Sequence, residues 1–572
     1  MDVELEELEN QLLSACQEGN IEVVIQLLND GNVNPNCQNK ENYARTPLDY
    51  ACRFGHIEIV KVLLNDQRVD VNKATNSGAT PFLIACQNGQ TEIVKLLVND
   101  ERVDVHQATI DGVTPLYIAC RFGHIEIVKV LLNDQRVDIN KANNDKVTPF
   151  YIACQEGHIE IVKLLLNDQG IDIDKAQNRG ATPFYIACQN GQTEVVKLLL
   201  NDNRVDANKA RNDDLTSFYV ACQEEHIETV KLLLNDQRVD INKARINGVT
   251  PFLIACQNGR IEIVKLLLNN ERLDVNKEDN YGRTPLYIAC QEGYIEIVKL
   301  LLNDKRVDIN KGANDDKTPF CIACQEEHIE IVKLLLNEER VDVNKAIKYS
   351  WTPFHIACSA GYLDIVELLL SDERIDVNKA NNNGETPFLL ACSAGYLDIV
   401  KLLLNDERID LNNASNNEIT PFLIAYGKGH IEIVKLLLND QRVGINKPQN
   451  QGATPFHVAC RKGYTEIVKL LLNDNRVDIN KAEKSVSATP FYAACFQGHI
   501  EIVKLLLNES RVGVNNANNN EITPFYIACQ EGHIEVVKLL LNDKRVDSNK
   551  ASNSGEITPF WIACQNGHII GK

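Results

Sequence analysis

Residues 80–111 read TPFLIACQNG QTEIVKLLVN DERVDVHQAT ID. Thr80 suits a helix N-cap, and Pro81 suits the first helical position, where no backbone donor is needed. Phe82, Ile84, Ala85 and Cys86 supply an apolar stripe, and the small Ala and Cys let a neighbouring helix approach closely. Gly89 ends this short helix by accepting a left-handed conformation. From Thr91 to Val98, Ile, Val and Leu recur at helical spacing, with Glu92 and Lys95 one turn apart, which predicts a second helix. Asn99-Asp100 breaks it, Arg102-Val103-Asp104-Val105 alternates, and a polar turn leads to Thr114. The stretch therefore encodes helix, turn, helix and extended loop.

The same pattern recurs along the chain. A Thr-Pro-(Phe/Leu) start falls at Thr46, Thr80, Thr114 and onward to Thr558 in steps of 34 residues, with one extra residue before Thr489 and one before Thr558. Thr216 keeps the register but is followed by Ser217. Residues 1–45 form a degenerate N-terminal capping unit with a long first finger. Residues 46–557 hold fifteen complete repeats, and 558–572 one that is cut short. No Pro-rich linker or low-complexity segment interrupts them, so 1–572 is expected to be one continuous array.

These residues resemble the ankyrin repeat. Its signature appears as Thr-Pro-Phe-Tyr-Ile-Ala-Cys, then Gly-His-Ile-Glu-Ile-Val-Lys-Leu-Leu-Leu, then Val-Asp-Val-Asn. The resemblance implies an α-dominated repeat solenoid, a curved superhelical array of helix-turn-helix units. Loops would project as β-hairpin fingers, and a concave face of fingers and first helices would bind partners. Two departures stand out. The family's His three residues after Thr occurs only at His355 and His457. The Gly after the second helix is replaced by Asn-Asp-x-Arg-Val, whose Asn can cap a helix in the left-handed region, so a bend is feasible there and the shape of the loop is left open.

Composition bounds the function. The chain has 572 residues, 44% hydrophobic and 24% charged, with a net charge of −20. An acidic surface repels phosphates, which argues against nucleic-acid partners and against docking on anionic membranes. No apolar run approaches the roughly 18 residues of a membrane span, so membrane insertion is not expected. Sixteen of the eighteen cysteines recur once per repeat in an Ala-Cys context, with Cys37 and Cys321 outside it. Packed helices lie about 8–10 Å apart, too far for disulfides between equivalent positions. Free buried thiols in a reducing, cytoplasmic compartment are expected.

Candidate chemistry is weak. Cys-x-x-x-His pairs such as Cys52/His56 and Cys154/His158 have metal-like residue types, but Gln90, Gln192, Arg260, Tyr294 and Tyr362 replace the His elsewhere. Packing of the His at the second-helix start accounts for the pattern. A catalytic site is a single constellation, whereas these residues are copied along the array. No catalytic residue, metal site or cofactor is expected. The Arg ladder (Arg68, Arg102, Arg136) is expected to interleave with the Asp two residues later (Asp70, Asp104, Asp138) as surface pairs. The Asn ladder (Asn72, Asn140, Asn242, Asn276) should hydrogen-bond loop backbone.

Specificity should lie where repeats differ. The finger before Thr352 reads Ile347-Lys348-Tyr349-Ser350-Trp351, and Tyr and Trp are favoured interface anchors. Tyr349, Trp351 and Lys348 are therefore candidate protein contacts, with both aromatics expected at an exposed finger tip. Phe54, Phe122 and Phe496 replace polar residues at first-helix ends. Arg461-Lys462, near Lys428, makes a basic spot on an acidic array. Glu225 and Glu327 replace the turn Gly and mark weak repeats. After His568, Ile569-Ile570-Gly571-Lys572 lacks a second helix, which predicts an apolar end face able to make contacts of an otherwise monomeric chain. The expected function is a non-enzymatic protein-interaction scaffold. The alternative is the targeting arm of a larger kinase, ubiquitin ligase or channel, and a third reading is a force-bearing spring.

Overall fold

In the computed structural model the described residues are 2–39, 43–449, 452–553 and 557–568. Among them are 33 α-helices, from Asp2–Glu18 to Pro559–Gln565, and no strand. The chain divides into two compact bodies, Met1–Ala289 with Leu300–Val307, and Cys290–Lys299 with Asp308–Lys572. Within each body, first helices pack on first helices of adjacent repeats and on their own second helices, an α-helical repeat solenoid.

The Thr80 repeat shows why. Thr80 has extended backbone, and its Oγ1 accepts the Leu83 N–H at 3.2 Å. Pro81–Gln87 follows, with Pro81 through Cys86 all buried. A helix buried on every side needs small residues somewhere, and Ala85 and Cys86 are fully enclosed. Thr91–Val98 buries only Ile93, Val94 and Leu97. Lys95 pairs with Glu92 at 2.6 Å on its solvated face. Gly89 has φ +71, the left-handed turn expected.

The bend after the second helix does not use the left-handed region. Asn99 is right-handed, at φ −83 and ψ −7. The turn is made instead by Asp100, whose Oδ1 accepts the Arg102 backbone N–H at 3.0 Å. Arg102 then pairs with Asp100, at 2.7 Å, and not with Asp104. Its guanidinium also donates to the Leu64 carbonyl of the preceding repeat at 2.8 Å. Arg68, Arg136, Arg204 and Arg306 likewise cap the helix end one repeat back, where orphan carbonyls point. Asn72 reaches the other way, donating to the Arg102 carbonyl at 2.7 Å and accepting the Asp104 N–H at 2.9 Å. The same two-bond clamp is made by Asn208, Asn242, Asn310, Asn344 and Asn378.

The fingers are turns, not hairpins of strands. Thr109 N–H donates to the Val113 carbonyl at 3.0 Å, and Ile110 N–H to Ser77 of the finger before at 3.0 Å. One closing bond and one rung are too few for a β-ladder. The β-pairing present among the described residues is an isolated antiparallel bridge, Asn39 to Arg45.

All eighteen cysteines are free, and all but Cys564 are buried. Burial pushes the Cys37, Cys321 and Cys529 thiols up to about 12, so they remain neutral and unreactive. Alkylation of denatured, unreduced protein is expected to modify all eighteen cysteines. Mass spectrometry finding several protected residues would refute both the free thiols and the stacking register.

Two bends lack the Asn clamp: His106 stands in its place in the Thr80 repeat and Asp174 in the Thr148 repeat. Asp174 stands where neighbours hold Asn, and it accepts the Asp206 N–H at 3.2 Å. Its Oδ1, in place of an amide donor, is buried without a hydrogen-bond partner among the described residues. Asp174→Asn should restore the donor and stabilise by about 1 kcal/mol at neutral pH in urea unfolding. Burial holds the Asp174 carboxyl above its ordinary value. The folded state therefore binds the proton more tightly, and the wild type gains stability as pH falls through the raised folded value. The advantage of Asn should shrink over that window; a constant advantage would mean the carboxylate charge is irrelevant there.

Candidate interaction surface

The turn between helices is sealed by the next repeat. His124 Nε2 lies 3.0 Å from the Gln87 carbonyl, and His158 Nε2 3.0 Å from the Arg121 carbonyl. A Cβ on Gly89 would meet the His124 ring at 2.9 Å. The turn Gly is thus required twice, by its left-handed backbone and by the ring above it. Gln90, Gln192 and Arg260 supply the same donor, to the Arg53, Gln155 and Gln223 carbonyls at 3.3, 3.1 and 3.3 Å. The position takes a hydrogen-bond donor in these repeats, which explains its Gln and Arg substitutions, while Tyr396 covers the turn with its ring alone. Among the described residues no group of three metal-binding side chains converges.

Glu225 and Glu327 are left-handed, at φ +63 and +59. Arg260 of the following repeat pairs with Glu225 at 2.8 Å, with both side chains about one-third exposed. Tyr362 occupies the matching place beyond Glu327.

The predicted contact residues fall in different environments. Lys348–Ser350 forms a single 3-10 turn, and both Tyr349 and Ser350 have φ +62. Such backbone costs a non-glycine residue about 1–2 kcal/mol. The Tyr349 side chain is 73% exposed, and Lys348 is exposed. The Tyr349 carbonyl accepts the Asn382 N–H at 2.9 Å, which ties the finger to its neighbour. Trp351 is half-buried, its ring centroid 6.0 Å from that of His355, and so does not share the exposed tip. The residue before Thr leans inward in other repeats too: Ala181, Leu215 and Val249 are buried there. Arg283 is accommodated at this position by its ion pair with Asp279 at 2.7 Å.

Phe54 and Phe122 are each 47% exposed and stack beside His56 and His124, with Arg53 and Arg121 over their rings. Phe496 is 39% exposed. Lys462 is exposed and Arg461 half-buried, its carbonyl accepting from His499. Phe560 and Trp561 of the last described helix are exposed. Ile569 to Lys572 lie outside the described residues.

Three features escaped sequence reasoning. Tyr43 and Tyr281 stand three residues before Thr, as Tyr349 does, and are 65% and 66% exposed. Arg45 and Arg283 lie over their rings at 5.4 and 5.2 Å. Their common offset from Thr was the available signal. The third is Tyr426, which replaces the seam Cys. It is buried, meets Tyr464 edge-on at 5.5 Å, and its hydroxyl has no hydrogen-bond partner among the described residues. An unpaired buried hydroxyl costs about 1–3 kcal/mol. Burial pushes that hydroxyl pKa well up, while the nearby Arg461 pulls it down. The interruption of the Ala-Cys series at Ala425-Tyr426 was its signal.

Models of the ankyrin-repeat family match overlapping segments from residues 12–108 to 490–570, which together span nearly all of the chain. The protein belongs to the ankyrin-repeat family, whose members are generally protein-interaction modules and typically non-catalytic. No curated protein matches the chain. Among the described residues no helix is long and apolar enough to cross a membrane.

The turn strain is testable. Glu327→Gly should stabilise by about 1 kcal/mol by relieving left-handed strain. Glu225→Gly should change stability by under about 0.5 kcal/mol, because the loss of the Arg260 pair offsets the relief. Equal gains in thermal unfolding of the two variants would show that the Glu225–Arg260 pair contributes nothing.

Proposed function

We propose that the chain is a protein-interaction scaffold, one continuous array that works by holding a row of finger tips and first-helix ends in fixed register. Nothing in its array logic calls for a reaction, a cofactor or a metal. Its enclosed, un-ionised thiols suit a reducing cytoplasm, and its acid-rich surface suits protein partners over nucleic acid. The observation that carries the reading is the finger at Tyr349. A large amphipathic residue stands 73% exposed with left-handed backbone of its own, next to Ser350, which is left-handed as its counterparts in the other fingers are. Strain retained at an exposed position marks a site selected for something other than stability. An aromatic held this way offers contact area at low conformational cost. Trp351 supports the finger from beneath, through His355.

The test separates the two residues. Tyr349→Ala should weaken capture of cellular protein partners by the full-length chain by about tenfold or more, with unchanged thermal unfolding. Trp351→Ala should lower stability by about 1–3 kcal/mol, as loss of a half-buried aromatic does. Partner capture that survives Tyr349→Ala at wild-type strength would remove the finger from the binding surface.

A further inference from the structure

The joint between the Thr420 and Thr454 repeats, within the second body, breaks the rules of the other seams. Tyr426 occupies the place of the enclosed Cys and holds Pro421–Gly427 and Pro455–Lys462 farther apart than Pro387–Ala394 and Pro421–Gly427 are held. At the turn of the Thr352 repeat, Tyr396 lies over Gly361, and a Cβ there would meet its ring at 2.8 Å. Tyr464 is the same residue type at the same place, but it has moved against Tyr426. A Cβ on Gly429 or on Gly427 would meet nothing within 4 Å. The turn therefore faces an open notch, with the 39% exposed Tyr464 as its aromatic wall.

The rim of this notch is basic. Lys428 and Lys462 occupy the same position in consecutive repeats and are exposed. Other repeats hold Asn88, Glu156, Asn190, Glu224 or Ala394 there. Arg461 adjoins them. None of the three makes an ion pair among the described residues, whereas Lys435, Arg442, Lys469 and Arg476 nearby all do. The basic stretch is bounded by Ala394 before it and Gln497 after it. It fits a short segment, not a phosphate backbone that runs on. The chain's net charge of −20 does not oppose local attraction, because exposed charges are screened beyond about 8 Å at physiological salt.

We infer that this notch is a second docking site, which takes an acidic segment of a partner protein. Carboxylates of the segment pair with Lys428, Arg461 and Lys462, and an apolar side chain lies over the Gly427–Gly429 turn against Tyr464. The inference rests on the reading of the chain as a protein-binding array, but its site is separate from the Tyr349 finger.

The experiment uses the full chain and a fluorescein-labelled peptide of alternating Glu and Leu, followed by anisotropy at low and at physiological salt. The peptide should bind, more weakly as salt rises. Lys428→Glu/Lys462→Glu should weaken it by about tenfold or more, while Lys61→Glu/Lys95→Glu, with the same change in net charge, should not. Tyr426→Cys installs the residue that other seams carry, so it should fold with an equal or higher melting temperature and lose the peptide. Tyr349→Ala should bind the peptide as the wild type does, so failure at the finger and failure at the notch are read separately. Wild-type binding by either the Lys428/Lys462 or the Tyr426 variant would overturn the proposal. So would equal loss in the Lys61/Lys95 control, or tighter binding of a single-stranded oligonucleotide of matched charge.

Discussion

A side-chain amide holds most bends to the next. Asn242 donates to the Arg272 carbonyl and accepts from the Asp274 amide, and Asn208, Asn310, Asn344 and Asn378 do the same. These bends have no regular structure, and buried or half-buried backbone groups must find partners. The partner lies one repeat away. A lone repeat would therefore leave its own bend unsatisfied, with the Arg cap on the preceding helix missing as well. Stacking is a condition for the local conformation, not an outcome of it. Gly170 illustrates the point: it lacks the Arg side chain, yet Asn140 still reaches its carbonyl at 2.7 Å.

The first-helix side obeys a steric rule. Ala and Cys set the approach of neighbouring helices, the turn Gly leaves room for the ring above it, and His, Gln or Arg closes the seam with one donor. Deviations are then informative. Arg260 turns a strained Glu225 into an ion-paired one, a local repair. Tyr426 has no such repair, and its hydroxyl is left unpaired among the described residues. The finger at Tyr349 breaks the turn rule in the same costly direction. Both proposed contact sites lie where uniformity of the array is given up.

Helices, caps and turn glycines were legible in the sequence because they obey local rules: Thr and Pro at fixed offset, Gly after a short apolar run. The bend was not. Arg102 has Asp100 two residues before it and Asp104 two residues after, and composition cannot choose between them. The choice is made by the Asp100 carboxylate folding back on the Arg102 amide, which leaves Asn99 right-handed. Trp351 was misplaced for a related reason. Varied chemistry at its position suggests solvent, yet Arg283 reaches Asp279 from a site that holds buried Ala or Val elsewhere. Exposed finger tips at Tyr43 and Tyr281 escaped notice because they differ from polar neighbours by one residue only.

The enclosed cysteines have a use beyond packing. Nearly every repeat carries one thiol that solvent cannot reach while the repeat is closed. Cys564 apart, a small electrophile would thus mark only repeats that have opened, and the marks fall at separate places along the sequence. The chain contains its own set of positional clocks, whose separate rates give the order in which segments come apart under heat, denaturant or load. The Thr420 repeat, with Tyr426 in place of the thiol, is the silent interval in that series.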